Sequence, residues 1–372
     1  MERLSRFYPE PVILTAVIFL ILIGFLNILS IKLVPFILSD IKLEHFRKPA
    51  IFLLSSVVGL FIMSAVSHIL NYKKLNDKKT IYTLVGLSLF LLFAVLVKKA
   101  LLGKEVDRWL VGTSVQPSEL SKLVIVLFLA HYVSQKGVIN KWSFFGWVVF
   151  LVVLHGLFLF LQPDKGMAIF LFAVTVIILW LGCMSPKIYV PILLILASLG
   201  ALMLSFGGEY VQRRFIAWKN PMEDSFGSGY QVIQSLLSFI NGGFLGQGYG
   251  KGVQKLGALT QADTDYALAT IGEELGLPGV AFIFVLLGVL LWRLVKVADS
   301  ATDVFGKLLV GGIAVNIFLS AIINVLMVVN LIPPKGMPLP FISYGTSNLL
   351  VNFVSLGIVG AVYKRQLHYR ML

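Results

Sequence analysis

The chain has 372 residues, 58% of them hydrophobic and 13% charged, with a formal net charge of +13 and a mean hydropathy of +0.90. Soluble domains hold roughly 45–50% apolar and about 25% charged residues, so the composition excludes an ordinary soluble fold and points to an integral membrane protein. The cations mostly flank apolar runs, which suits lipid headgroups rather than nucleic acid, and a single cysteine excludes an internal disulfide.

A hydrocarbon core of about 30 Å needs roughly 20 apolar residues as a helix. The first such run starts near Val12 and is long enough to remain as a helix rather than a cleaved signal. In chain order the predicted spans are 12–30, 50–70, 81–97, 119–134, 143–161, 167–183, 189–206, 266–292, 308–331 and 341–363. The expected fold is therefore all-α, a single polytopic membrane domain over residues 1–372 with about ten transmembrane helices. Ten spans put both termini on one side. Lys and Arg are about twice as dense in the connections on that side, which assigns it to the cytoplasm. Cys183, near the end of the sixth run, is expected to be a packed, inert thiol.

Residues 207–265 form one long extracytoplasmic loop before the eighth span in this orientation. Loops of that length are functional or disordered, and this one mixes aromatic, basic and glycine residues. Within it Val232, Leu236, Leu237 and Ile240 recur at helical spacing, predicting an interfacial helix or a re-entrant piece. No internal repeat argues for an inverted-repeat transporter.

Ionisable side chains at membrane depth cost about 2.5–3.5 kcal/mol each and mark functional sites. "SVQPSELSK" sets Glu119 and Lys122 three residues apart on one helix face, as a self-satisfied ion pair or as the wall of a polar cavity. "LQPDKGMAIF" sets Asp164 and Lys165 in a tight turn, where Asp164 is either a helix cap or part of a site. "QADTDYALATIGEELG" (261–276) clusters Asp263, Asp265, Glu273 and Glu274 beside a spanning helix. If helical from Asp265, that stretch brings Glu273 about 12 Å further along. Gly276 and Pro278 then interrupt it, so that a half-helix ending at Leu275 walls an aqueous cleft and the span proper starts at Leu277. In such a cleft Asp265 is a candidate general base, with a helix-terminal cap as the plainer alternative.

These stretches, with "DRWLVGTSVQPSELSK" (107–122), "QPDKGMA" (162–168), "YQVIQSLLSFINGGFLGQGYGKGVQKLGAL" (230–259) and "IPPKGMPLPFISYGTSNLL" (332–350), resemble the SEDS family (shape, elongation, division and sporulation), the membrane glycosyltransferases that polymerise peptidoglycan. Five motifs in one order over nearly the whole chain make the likeness specific, and the last resembles the division type more than the elongation type. Asp263, Tyr266 and Thr346 stand where the family more often has His, Phe and Gly. Asp263 beside Asp265 is expected to raise the pKa of one of them.

The resemblance implies a reaction that joins the sugar 4-hydroxyl of lipid II to the anomeric carbon of a growing glycan, releasing undecaprenyl diphosphate. It implies Asp265 as catalytic residue. Arg213, Arg214, Lys255 and Lys335 are candidates for stabilising the leaving diphosphate. Glu119, Lys122, Arg108, Gln116, Ser118, Asp164, Glu273 and Ser343 are further substrate-site candidates. A divalent cation, Mg or Mn, would assist the diphosphate, although the five histidines are scattered and no multi-carboxylate ligand set stands out. Implied partners are lipid II, the nascent glycan, a class B penicillin-binding protein acting as transpeptidase, other divisome or elongasome proteins and membrane lipids, but no nucleic acid. The implied location is the cytoplasmic (inner) membrane, with both termini cytoplasmic. A lipid II flippase or a non-catalytic scaffold of the division complex are the alternative readings.

Overall fold

The computed structural model describes residues 10–32, 42–103, 108–110, 115–135, 142–206, 208–224 and 227–370. Among these there is no strand, and twelve α-helices carry the fold: α1 (Pro11–Lys32), α2 (Leu43–Ile69), α3 (Lys78–Leu101), α4 (Pro117–Ser134), α5 (Trp142–Leu161), α6 (Lys165–Leu181), α7 (Pro186–Ser205), α8 (Gly208–Lys219), α9 (Ser228–Gly242), α10 (Ala267–Asp299), α11 (Val304–Val328) and α12 (Thr346–Arg370). Ten of them, all but α8 and α9, coincide with the predicted spans. Seven are long and apolar enough to cross a membrane, and α5 and α6 are apolar as well.

The tenth, α4, carries Glu119 and Lys122 yet is buried almost all round. A helix covered on every side is the centre of a bundle, and α4 indeed packs against α3, α5, α6, α11 and α12. Local signals fix the helix starts. Asp77, Asp164 and Asp303 cap α3, α6 and α11 by accepting from Thr80 N, Met167 N and Gly306 N, and Pro117 and Pro186 open α4 and α7. The last helix begins five residues later than predicted, at Thr346, because the segment before it is irregular.

The two described ends of the chain lie at the same end of the bundle. Arg293 near the end of α10 pairs with Glu10, Gln366 Nε2 on α12 donates to Val297 O (2.8 Å), and Tyr72 after α2 donates to Asp303 at the start of α11 (2.5 Å). The predicted loop helix exists as α9, packed against α10. It is tied to α11 by Ser235 Oγ donating to Val328 O (2.7 Å), and α8 by Trp218 Nε1 donating to Asn330 O (3.2 Å). The expectation of a packed Cys183 fails. The helix stops at Leu181, and Cys183 sits exposed in the following turn with φ of 51°.

Candidate active site

The predicted interruption is real. Gly276 has φ 62° and ψ −157° inside α10, dividing it into pieces 267–275 and 277–299. The backbone groups freed by a break at membrane depth need partners, and the loop after α9 supplies them. Gln247 N donates to Glu273 O (2.9 Å), Gly248 N to Glu274 O (2.9 Å), and Leu277 N to Phe244 O (3.1 Å). A Cβ on Gly276 would collide with the backbone of Phe244 and Gly246, and its positive φ suits glycine alone.

That docking engages two of the four clustered carboxylates, and lysines of α1 and α2 hold a third. Glu273 is fully buried and accepts from Val253 N (3.0 Å), Gln254 N (3.2 Å) and Asn241 Nδ2 (3.4 Å). Glu274 forms a buried ion pair with Lys255 and accepts from Ser30 Oγ (2.6 Å). Asp263 faces Lys48 at 2.6 Å and Lys32 at 3.4 Å. Only Asp265 is left over. It lies two residues before α10, not within it, and its carboxylate makes no hydrogen bond or ion pair among the described residues.

Asp265 opens on a cavity of about 820 Å³. Among the described residues five cations line it, Arg47, Lys48, Arg108, Arg214 and Lys335, against two carboxylates, Asp265 and Glu119. Gln116, Gln231, Gln261, Thr264, Ser347 and Asn348 add neutral polar groups, and Trp109, Tyr266 and Tyr344 add rings. Burial pushes the Asp265 carboxyl up to about 6, opposed by Arg214, Arg108 and Lys335 and assisted slightly by Asp263.

The turn holding Lys335 lies directly against this carboxylate. A Cβ on Gly336 would stand 2.8 Å from Asp265 Oδ2, so glycine is what allows the approach. Lys335 Nζ donates to Gly166 O (2.6 Å) and sits 5.5 Å from the centre of the Phe170 ring. Burial brings the Lys335 ammonium down to about 7, with Lys122 and Arg214 acting in the same direction and Asp164 and Glu119 opposing. Arg108 donates to Pro163 O (2.8 Å) and approaches Asp164 at 3.9 Å. Glu119 is held by Lys122 (2.7 Å) and by Asn348 Nδ2 (2.8 Å).

Of the predicted residues, the structure brings Asp265, Lys335, Arg214, Arg108, Gln116 and Glu119 to one cavity. Lys122, Asp164 and Ser118 are buried behind its wall. Four lie elsewhere. Lys255 is committed to Glu274 and Glu273 to the loop backbone. Arg213 is exposed, 3.5 Å from Glu209, and Ser343 Oγ accepts from Leu339 N (2.9 Å) inside a turn. Sequence reasoning missed Arg47 and Lys48, a basic pair before the second span that reads as a headgroup anchor, and Gln231, Gln261 and Asn348, which stand inside the quoted motifs but were not singled out there. Among the described residues no three His, Cys, Asp or Glu side chains converge. The carboxylates on the cavity wall among the described residues are Asp265 and the already bonded Glu119, so these residues form no all-protein site for Mg or Mn.

The family model for cell cycle proteins of the FtsW, RodA and SpoVE type matches residues 11–368. A probable peptidoglycan glycosyltransferase FtsW of Geobacter sulfurreducens is 39% identical over 278 residues, covering 73% of this chain and 74% of the relative. A chain from a peptidoglycan synthase complex, solved to show the structural coordination of polymerization and crosslinking, aligns with a TM-score of 0.74 at 24% identity over 96% of this chain and 98% of that one. The rod shape determining protein RodA of Thermus thermophilus aligns with a TM-score of 0.66 at 22% identity, over 96% and 97% of the two chains. At such identities the structural likeness speaks to the fold.

Proposed function

The chain belongs to the FtsW, RodA and SpoVE family of cell cycle proteins, and on that premise we propose that it is a peptidoglycan glycosyltransferase whose polar cavity joins two molecules of lipid II, with Asp265 as the general base. The observation that carries the reading is the Asp265 carboxylate itself. It is the one member of the acidic cluster left unengaged among the described residues, and Arg214, Arg108 and Lys335 surround it on the cavity side.

The chemistry follows from those groups. Asp265 takes the proton of the acceptor sugar 4-hydroxyl as its oxygen attacks the anomeric carbon of the donor. The bond from that carbon to the diphosphate oxygen breaks, and undecaprenyl diphosphate departs with the electron pair. A carboxyl with a pKa of about 6 is mostly ionised at pH 7 and is a stronger base than an ordinary carboxylate. Charge grows on the diphosphate oxygens in the transition state, and fixed cations in a partly desolvated cavity favour that growth. Arg214, Arg108 and Lys335, which bias Asp265, are the groups assigned to it; Arg47 and Lys48 extend the basic wall.

The cavity end of the bundle faces the outside of the cytoplasmic membrane in this reading, with both termini cytoplasmic. The denser Lys and Arg of the connections at the other end support that orientation. A class B penicillin-binding protein acting as transpeptidase is part of the same reading, since a newly polymerised strand has to be crosslinked. Relatives named FtsW support a role in division.

The test is turnover. Purified chain supplied with lipid II makes glycan polymer, and Asp265→Ala makes none while reaching the membrane in equal amount. Polymer from Asp265→Ala refutes the base assignment. Movement of labelled lipid II across vesicles without polymer from the wild-type chain refutes the enzyme in favour of a flippase.

A further inference from the structure

The two loops that face each other across the site are far apart in sequence, and one side chain joins them. Asn324 lies on α11, one turn before its end, and is fully buried. Its Nδ2 donates to Asp265 O (2.7 Å) and to Met337 O (2.7 Å). Both partners are carbonyl oxygens, which can only accept, so the orientation of the amide is dictated by its surroundings. Both of its N–H groups are used, one on the loop of the candidate base and one on the turn of the candidate cation. Besides this bridge, Tyr344 N donates to Asp263 O (2.8 Å) between the same two loops.

We propose that Asn324 is a positioning residue for the polymerisation reaction, clamping the Asp265 loop to the Lys335 turn so that base and cation keep one separation. This rests on the assignment of Asp265 as base. The clamp acts on the main chain and touches no substrate. Met337 follows Gly336, the residue whose Cα hydrogen points at Asp265 Oδ2, so a shift at Met337 O moves the whole contact. Misplacing reacting groups by about 1 Å can cost roughly 10²-fold in rate. No other residue type supplies two donors at this reach: Asp would turn a carboxylate oxygen toward two carbonyls, Leu fills the space without a donor, and Ser offers one.

The test compares Asn324→Asp, Asn324→Leu and the milder Asn324→Ser in the full chain, with lipid II polymerisation and amide deuterium uptake as readouts. In each variant that elutes and melts as folded protein, kcat falls at least tenfold while KM for lipid II stays within threefold. Uptake in peptides covering 261–266 and 334–339 becomes faster. A purely structural role would lower the folded yield and leave kcat per folded molecule alone. Wild-type kcat in folded Asn324→Leu, or in folded Asn324→Ser if the others do not fold, overturns the proposal, as does unchanged uptake. The two readings fail separately. Polymer from Asp265→Ala removes the base and not the clamp, which exchange reports without turnover; unchanged exchange removes the clamp and not the base.

Discussion

Replacing Arg214 should slide the whole pH profile of polymerisation toward alkaline pH. Asp265 must be ionised to take a proton, and its carboxyl titrates at about 6. At pH 5 about one-tenth of it is then ionised, whereas an unshifted aspartate near 3.9 would be more than about nine-tenths ionised. Lys335 must be protonated to face a diphosphate, and it titrates at about 7, so by pH 8 about one-tenth of its charge is left. The wild-type kcat/KM profile is therefore a narrow bell, falling roughly tenfold on each side of a maximum between these values, and its limbs belong to the pair as a whole. Arg214 is the leading cation holding Asp265 down, and it also lowers Lys335. Arg214→Gln removes both effects, so both limbs move up together. Initial rates with fluorescent lipid II from pH 4.5 to 9 read the result. A wild-type rate that is flat down to pH 5, or limbs that move in opposite directions in Arg214→Gln, would refute the reasoning.

Two further outcomes follow from the same geometry. Adjacent arginines should separate: Arg214→Ala raises KM for lipid II several-fold, while Arg213→Ala, on the exposed side of α8 beside Glu209, leaves KM unchanged in the same titration. Breaking the buried Lys255–Glu274 pair with Glu274→Ala should cost about 3–5 kcal/mol, seen as a fall in melting temperature, and Lys255→Met with Glu274→Leu should recover most of it. Polymerisation per folded molecule stays the same throughout that series. A selective rise in KM for Lys255→Met in the paired background would return Lys255 to the site.

The spans and the break in α10 were legible because they rest on local chemistry: apolar runs of bilayer length, capping aspartates, and a Gly-Leu-Pro sequence that no uninterrupted helix carries well. The division of labour among the carboxylates was not. Counting eight residues of helix from Asp265 places Glu273 on the cleft, but the helix starts at Ala267 and the loop after α9 folds back over Glu273. Which backbone N–H groups meet a carboxylate is a tertiary fact with no periodicity to announce it. Lys255 and Glu274 are 19 residues apart and meet only because that loop returns. Asn324 closes a polar stripe with Asn316 and Ser320 at four-residue spacing, a pattern the sequence does carry; which carbonyls its amide meets is the part that spacing leaves unsaid. Gly336 and Gly166 stood in the motifs, yet what they make room for, a carboxylate and a lysine stem, emerges only when three loops converge.

The loop that patches the interrupted α10 holds on through its main chain and through Glu273 and Glu274, leaving Phe244, Leu245, Val253 and Leu256 turned outward. A dye at Leu245 would thus ride one residue from the Gly246–Gly276 contact, outside the reaction chamber. Its emission would report bending of the two half-helices against each other during turnover, once the exposed native thiol at Cys183 is exchanged for serine so that labelling is confined to one place.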